Sequence, residues 1–207
     1  MIRRTLVAVL AAALLAGCAP AAEKDPTDLA REIGSKVDVD TPQLREIKAE
    51  AGIADCAPGD ASHVDGGLPD LTLPCLGGGP DVDLSTLRGP MVVNLWAVWC
   101  TPCRRELPIL QEFHEKYGEK VAMLGVNYND TQPKQALQLA EKSGVTYEQL
   151  ADPAIHLDDN PPFPTLRGLP FLALVDADGR VVHQEFVVIE SLHQLEGLVE
   201  EHLGVTL

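Results

Sequence analysis

Met91-Val92-Val93-Asn94-Leu95-Trp96-Ala97-Val98-Trp99-Cys100-Thr101-Pro102-Cys103 decides how the rest of this chain is read. Met91 to Trp96 is a short apolar run that reads as a buried strand, and Cys100 sits where a helix should begin. Free backbone N–H groups and the positive dipole end at a helix N-terminus favour an anion, here the Cys100 thiolate. Cys103 lies about one helical turn further, close enough to close a disulfide. Such a pair can cycle between dithiol and disulfide with little backbone movement. A bare C-x-x-C is also half of a zinc site, so zinc or copper binding is the alternative. Zinc needs two more ligands at matched spacing, yet the remaining cysteines form no second close pair and no His-x₃₋₅-His stands nearby.

Outward from this stretch the elements alternate. Thr101 to Tyr117 reads as a helix with Leu107, Leu110 and Phe113 on one face and Pro108 as a kink. Val121 to Val126 is a second buried strand. Gln132 to Ser143 is a helix, capped by Asp130 or Thr131 and closed by Gly144. Phe171 to Val175 and Val181 to Val187 form a hairpin, and Ser191 to Gln194 is a capping box opening a last helix to about Leu203. Upstream, Leu71-Thr72-Leu73 and Val82-Asp83-Leu84 alternate like a short hairpin. The order β-α-β-α-β-β-α predicts an α/β fold, a mixed sheet with helices on both faces.

The first residues carry Arg3 and Arg4, then an apolar segment from Leu6 to Leu15 that is too short for a permanent membrane span. It suits a cleaved signal peptide, residues 1–17. Leu15-Ala16-Gly17-Cys18 resembles the lipobox of bacterial lipoproteins, which implies acylation of Cys18; an ordinary secretory signal with an incidental cysteine is the alternative. Exported proteins live where disulfides persist. Cys56 and Cys75 are then the expected structural disulfide, closing a loop of about 20 residues worth about 3 kcal/mol in the chain-entropy model. Two separate free thiols are the other possibility.

The formal net charge is −15, and without Arg3 and Arg4 the balance is 14 basic against 31 acidic residues. Such a surface repels nucleic acid and offers no basic patch to anionic lipid. Membrane attachment must therefore come from a lipid on Cys18. Residues 18–67 read as a lipid-anchored tether with one short helix. Thr41 is its N-cap, Pro42 its first position, Leu44, Ile47 and Ala51 its apolar spacing, and Gly52 its end. Residues 68–207 form the folded domain.

W-C-x-x-C at the first strand-to-helix junction, in this order of elements, resembles the thioredoxin fold. More narrowly, residues 68–207 resemble the TlpA/ResA group of membrane-tethered thiol-disulfide oxidoreductases. Leu87-Arg88-Gly89-Pro90, Asn94 to Arg104, Glu106-Leu107-Pro108 and Gly168-Leu169-Pro170 carry the resemblance. It implies that Pro170 is a cis-proline facing the cysteines and that the Leu169 backbone pairs with substrate. Asn94 stands where cytoplasmic thioredoxins hold a buried aspartate, and the membrane-tethered group also lacks it. Members similar to ResA carry an acidic residue after the next strand, here Asp130, with proton handling and helix capping as its two readings. Leu157 to Thr165 replaces a helical stretch of many relatives and is a candidate substrate-selecting surface.

By position, Cys100 is expected to be exposed and to attack a substrate disulfide, with Cys103 one turn inside to resolve the adduct. Trp99 would shield one side of the pair and Pro170 the other. Thr101-Pro102 adds no positive charge between the cysteines, which favours a reductant. The resemblance implies a lipid-anchored enzyme on the extracytoplasmic side of the cell membrane, with apocytochrome c as leading substrate. It also implies recharging by a membrane-embedded thiol reductase of the DsbD/CcdA type. No cofactor, no metal and no nucleic acid are expected, and the chain is expected to be a monomer. The competing functions are an oxidant or isomerase of secreted proteins and a non-catalytic lipoprotein delivering copper.

Overall fold

Helix signals at the front of the chain are local and strong, and the structure follows them. In the computed structural model, which describes residues 25–207, α1 spans Pro26–Gly34 and α2 spans Pro42–Ala51. Thr41 caps α2 by accepting the Leu44 N–H, and Gly52 closes it in the left-handed conformation. The proposed signal peptide and Cys18 lie outside the described residues. α1 stands in a charged stretch read only as tether; its Asp25 cap accepts the Thr27 N–H at 2.8 Å. The tether expectation needs a second correction. α2 packs against a later helix, burying Leu44 and Lys48, and Ile53 beyond it is buried too. The packed body thus begins before residue 68.

β1 (Thr72–Leu73) and β2 (Val82–Asp83) pair as the expected short hairpin. The main sheet uses β3 (Met91–Trp96), β4 (Ala122–Tyr128), β5 (Gln149–Asp152), β6 (Phe171–Val175) and β7 (Val181–Glu185) in the order β5-β4-β3-β6-β7. β3 runs parallel to β4 and antiparallel to β6, so the sheet is mixed. The helices are α3 (Thr101–Tyr117), α4 (Pro133–Lys142) and α5 (Leu192–Leu203). β5 is an element absent from the sequence reading. It pairs in parallel with β4, and it is buried along its whole length.

Helices flank the sheet on both faces but unequally. Both crossovers, β3-α3-β4 and β4-α4-β5, step in the same direction across the sheet, and right-handed connections then place both helices on one side. Val92 and Trp96 of β3 pack there with Leu107, Leu110 and Phe113 of α3, Leu137 of α4, Leu195 of α5 and Leu44 of α2. The alternate residues Met91, Val93 and Leu95 face a second cluster, covered by the β1–β2 hairpin, Leu157, Phe163 and the edge of α1 at Ala30. Among the described residues no helix is long and apolar enough to cross a membrane.

Candidate active site

Cys100 is the N-cap of α3, and its sulfur accepts the Cys103 N–H at 3.2 Å. Pro102 occupies the first turn, where a missing N–H costs nothing. The two cysteines are joined as a disulfide with Cα atoms 5.3 Å apart. One expectation fails here: Cys100 is not exposed. It is 3% accessible, and Cys103 is wholly buried.

The loop 97–100 is fastened on both sides of one peptide. The Val98 N–H donates to Asp130 Oδ2 at 2.7 Å, and the Val98 carbonyl accepts from Arg104 Nε at 2.7 Å. Asp130 is almost fully buried and also accepts from Asn127 Nδ2 (3.1 Å) and from the Gln132 N–H at the start of α4 (3.0 Å). Asp130 is not the cap of α4, contrary to expectation: Gln132 stands at the N-cap with no side-chain cap bond, and Asp130 accepts the Gln132 N–H just ahead of the helix while holding the cysteine loop. Asp130→Ala strands two backbone N–H groups and is expected to lower unfolding free energy by about 2–3 kcal/mol. Denaturant unfolding measures this; a variant as stable as the parent would remove Asp130 from the support of the loop.

Trp99 is half exposed, and its indole N–H donates to the Asn129 carbonyl at 2.9 Å. Its ring is thus anchored to the loop after β4. On the other side, the antiparallel register sets Phe171 opposite Leu95, so Pro170 lies beside the end of β3 from which the cysteine loop rises. The Leu169–Pro170 bond is cis. Arg167 to Pro170 and Phe186 to Val188 line a mostly apolar cleft of about 410 Å³. The 157–165 loop turns Leu157 and Phe163 inward, and Phe163 packs against Phe171. Buried Asp152 holds its start by accepting the His156 and Leu157 N–H groups.

Beneath the cysteines lies a residue to which the sequence reading gave no role. Glu106 is one turn of α3 beyond Cys103 and only 2% accessible; its Oε2 accepts the Ile189 N–H at 3.1 Å. Burial pushes its carboxyl up to about 8, opposed by that single hydrogen bond. The signal was present: Glu106 stands at i, i+4, i+7 with Leu110 and Phe113, on the apolar stripe of the helix. Asn94, facing the same layer, accepts from the Tyr147 hydroxyl at 3.4 Å, and its amide nitrogen has no hydrogen-bond partner among the described residues. An amide cannot take up a proton at neutral pH, whereas the buried Glu106 carboxyl, one turn of α3 beyond Cys103, can.

Cys56 and Cys75 are joined as the second disulfide, Cα atoms 5.9 Å apart. Among the described residues no three His, Cys, Asp or Glu side chains converge as a metal-binding group.

The AhpC/TSA family matches residues 64–184 of the chain. Thioredoxin-like protein YneN of Bacillus subtilis is 33% identical over 86 residues, covering 35% of this chain and 51% of YneN, so the chain spans about half the length of that relative. Thiol-disulfide oxidoreductase ResA of Bacillus thuringiensis is 31% identical over 128 residues, covering 59% of this chain and 69% of ResA. A secreted thiol-disulfide isomerase of Corynebacterium glutamicum shares the fold, with a TM-score of 0.58, 21% identity, and coverage of 67% of this chain and 86% of that one. With a cysteine pair at the head of α3 and this similarity running through it, the chain belongs to the AhpC/TSA family and is a thioredoxin-like thiol-disulfide oxidoreductase of the ResA type.

Proposed function

We propose that the chain works as a reductant of protein disulfides on the extracytoplasmic side of the cell membrane. The observation that carries this direction is the surroundings of Cys100. Its sulfur accepts the Cys103 N–H, and Arg104, the cation that reaches back to this loop, gives its Nε to the Val98 carbonyl instead. Strong oxidants owe their potential to a stabilised thiolate in the dithiol form. A thiolate with one backbone donor and a buried acid nearby is held less well, so the disulfide is the favoured state and electrons are readily given away.

In the reduced enzyme the Cys100 thiolate attacks one sulfur of a substrate disulfide. The substrate bond breaks, a mixed disulfide forms, and the other substrate sulfur leaves and takes a proton from water. Cys103 then gives its proton to the Glu106 carboxylate and attacks Cys100, freeing the second substrate thiol and restoring the Cys100–Cys103 bond. Pro170 and the Leu169 backbone form the opposite wall, where an extended substrate pairs. Trp99 borders the pair, and Asp130 holds its loop.

The substrate best matched to this reading is apocytochrome c, whose C-x-x-C-H cysteines must be free before haem attachment. A membrane-embedded thiol reductase of the DsbD/CcdA type would recharge the enzyme. The leader and a lipid on Cys18 would provide export and anchorage, and two disulfides in one chain suit an oxidising compartment.

The test is to mix reduced protein with an oxidised C-x-x-C-H peptide and count peptide thiols by alkylation and mass. Stoichiometric reduction is expected, with a midpoint potential at or below about −220 mV. A midpoint near −120 mV, in the range of strong oxidants, would reverse the direction.

A further inference from the structure

The second disulfide has an unusual neighbour. Lys48 of α2 is 4% accessible, and its Nζ lies 3.2 Å from Cys75 Sγ, 2.9 Å from Asp55 Oδ1 and 2.8 Å from the Gly78 carbonyl. A lysine ammonium has three N–H donors, and these three contacts use them all. Two acceptors are strong. The third, a neutral disulfide sulfur, is weak. It becomes a strong, charged acceptor only when the bridge opens and Cys75 carries a thiolate.

The surroundings leave room for this. Asp55, the carboxylate hydrogen-bonded to the ammonium, is 87% exposed, and Asp40 acts on Lys48 only through space, so the buried charge is offset in part. A cavity of about 310 Å³, lined by Lys48, Asp55 and Gly77 to Gly79, lies on the lysine's side of the bridge; neither cysteine lines it. Gly79, whose φ of +128° itself suits glycine, packs against both groups: a Cβ there would stand 3.3 Å from Cys75 Sγ and 3.5 Å from Lys48 Nζ. Cys56 lies in an irregular segment, itself buried but flanked by exposed Asp55 and Ala57.

We propose that Cys56–Cys75 is a second thiol–disulfide exchange site, with Lys48 as the cation that receives Cys75 as a thiolate. A thiolate of an incoming dithiol attacks Cys56, the Cys56–Cys75 bond breaks, and Cys75 leaves as the anion paired with Lys48. The donor's second thiol, losing its proton to water, then attacks the mixed disulfide, releasing Cys56 as a thiol and the donor as a disulfide. Two electrons pass from donor to bridge. This site is distinct from Cys100–Cys103 and does not depend on the direction proposed for that pair.

The experiment uses the full chain with Cys100→Ser and Cys103→Ser, so that only this bridge reports. The protein is equilibrated with reduced and oxidised dithiothreitol, free thiols are counted by alkylation and mass, and circular dichroism follows the fold. Reversible opening in the folded protein is expected. Lys48→Met should lower the equilibrium constant for reduction about tenfold, equivalent to about 30 mV. Asp55→Asn, at an exposed position and leaving the ammonium without its carboxylate, should shift it the opposite way. Opening that occurs only with unfolding, or two variants that leave the equilibrium unchanged or shift it in the same direction, would overturn the proposal.

Discussion

Cys103→Ser is expected to accumulate covalent substrate adducts on Cys100, while Cys100→Ser is expected to form none and to lose exchange activity on the order of 10³-fold or more. The asymmetry follows from position on α3. Cys100 caps the helix and is the outer sulfur; Cys103 is wholly buried one turn along, where it meets only a sulfur already delivered to Cys100. Without Cys103 the first attack still occurs, but no internal thiolate remains to release the adduct. Non-reducing electrophoresis of each variant, followed by peptide mapping of the linked cysteine, measures both effects. Adducts on Cys103 in the Cys100 variant, with none in the Cys103 variant, would exchange the two roles.

Glu106→Gln is expected to change both stability and rate, in opposite senses. The Glu106 carboxyl titrates in the folded protein near 8, whereas in the unfolded chain it titrates near its ordinary value of 4.5. A raised folded value means that the folded state holds the proton more tightly. The associated stability is fully present below about 4.5, declines as pH rises, and is lost once pH passes about 8. The total is on the order of a few kcal/mol. Glutamine is neutral throughout, so the variant should lack this decline and be the more stable protein at pH 9. Its exchange rate should fall roughly 100-fold, the usual scale for losing a positioned proton acceptor, and lose the pH dependence centred near 8. Denaturant midpoints and peptide reduction rates, each from pH 5 to 9, give the two curves. A wild type whose stability climbs relative to the variant across that window would contradict the buried, proton-holding carboxyl.

The parts of this fold that were legible in the sequence are those with local signals. The boundaries of β3 and α3 were read to the residue, because an apolar run meets a proline-bearing first turn at Cys100. Thr41, Pro42 and Gly52 marked α2 equally well. β5 escaped because Gln149 to Asp152 is four residues long and buried on both faces, so it shows no alternation. Its Gln149 crosses over Gly125, where any Cβ would collide, to accept the Trp96 indole N–H at 2.9 Å; no local pattern announces such a contact. α1 escaped because its apolar residues Leu29 and Ile33 remain nearly half exposed. In the candidate site the cysteines and the cis-proline were readable as motifs. The chemistry of Glu106 was not, since its proton affinity is set by Ile189 and the surrounding core, brought in from 83 residues away.

The twofold fastening of Val98 bears on what kind of partner can be served. The loop is held by Asp130 on the Val98 N–H and by Arg104 on its carbonyl, and Cys100 beside it is only 3% accessible. The adjustment must then come from the other molecule. A folded protein whose disulfide is set in its own rigid surface has little freedom to reach a cysteine so slightly exposed. A chain that has not yet folded has more, because its backbone still samples extended shapes, and it gives up that freedom at the moment of contact. The fastening therefore predicts that an unfolded disulfide-bearing chain is reduced faster than the same chain folded, and competition between the two forms measures it.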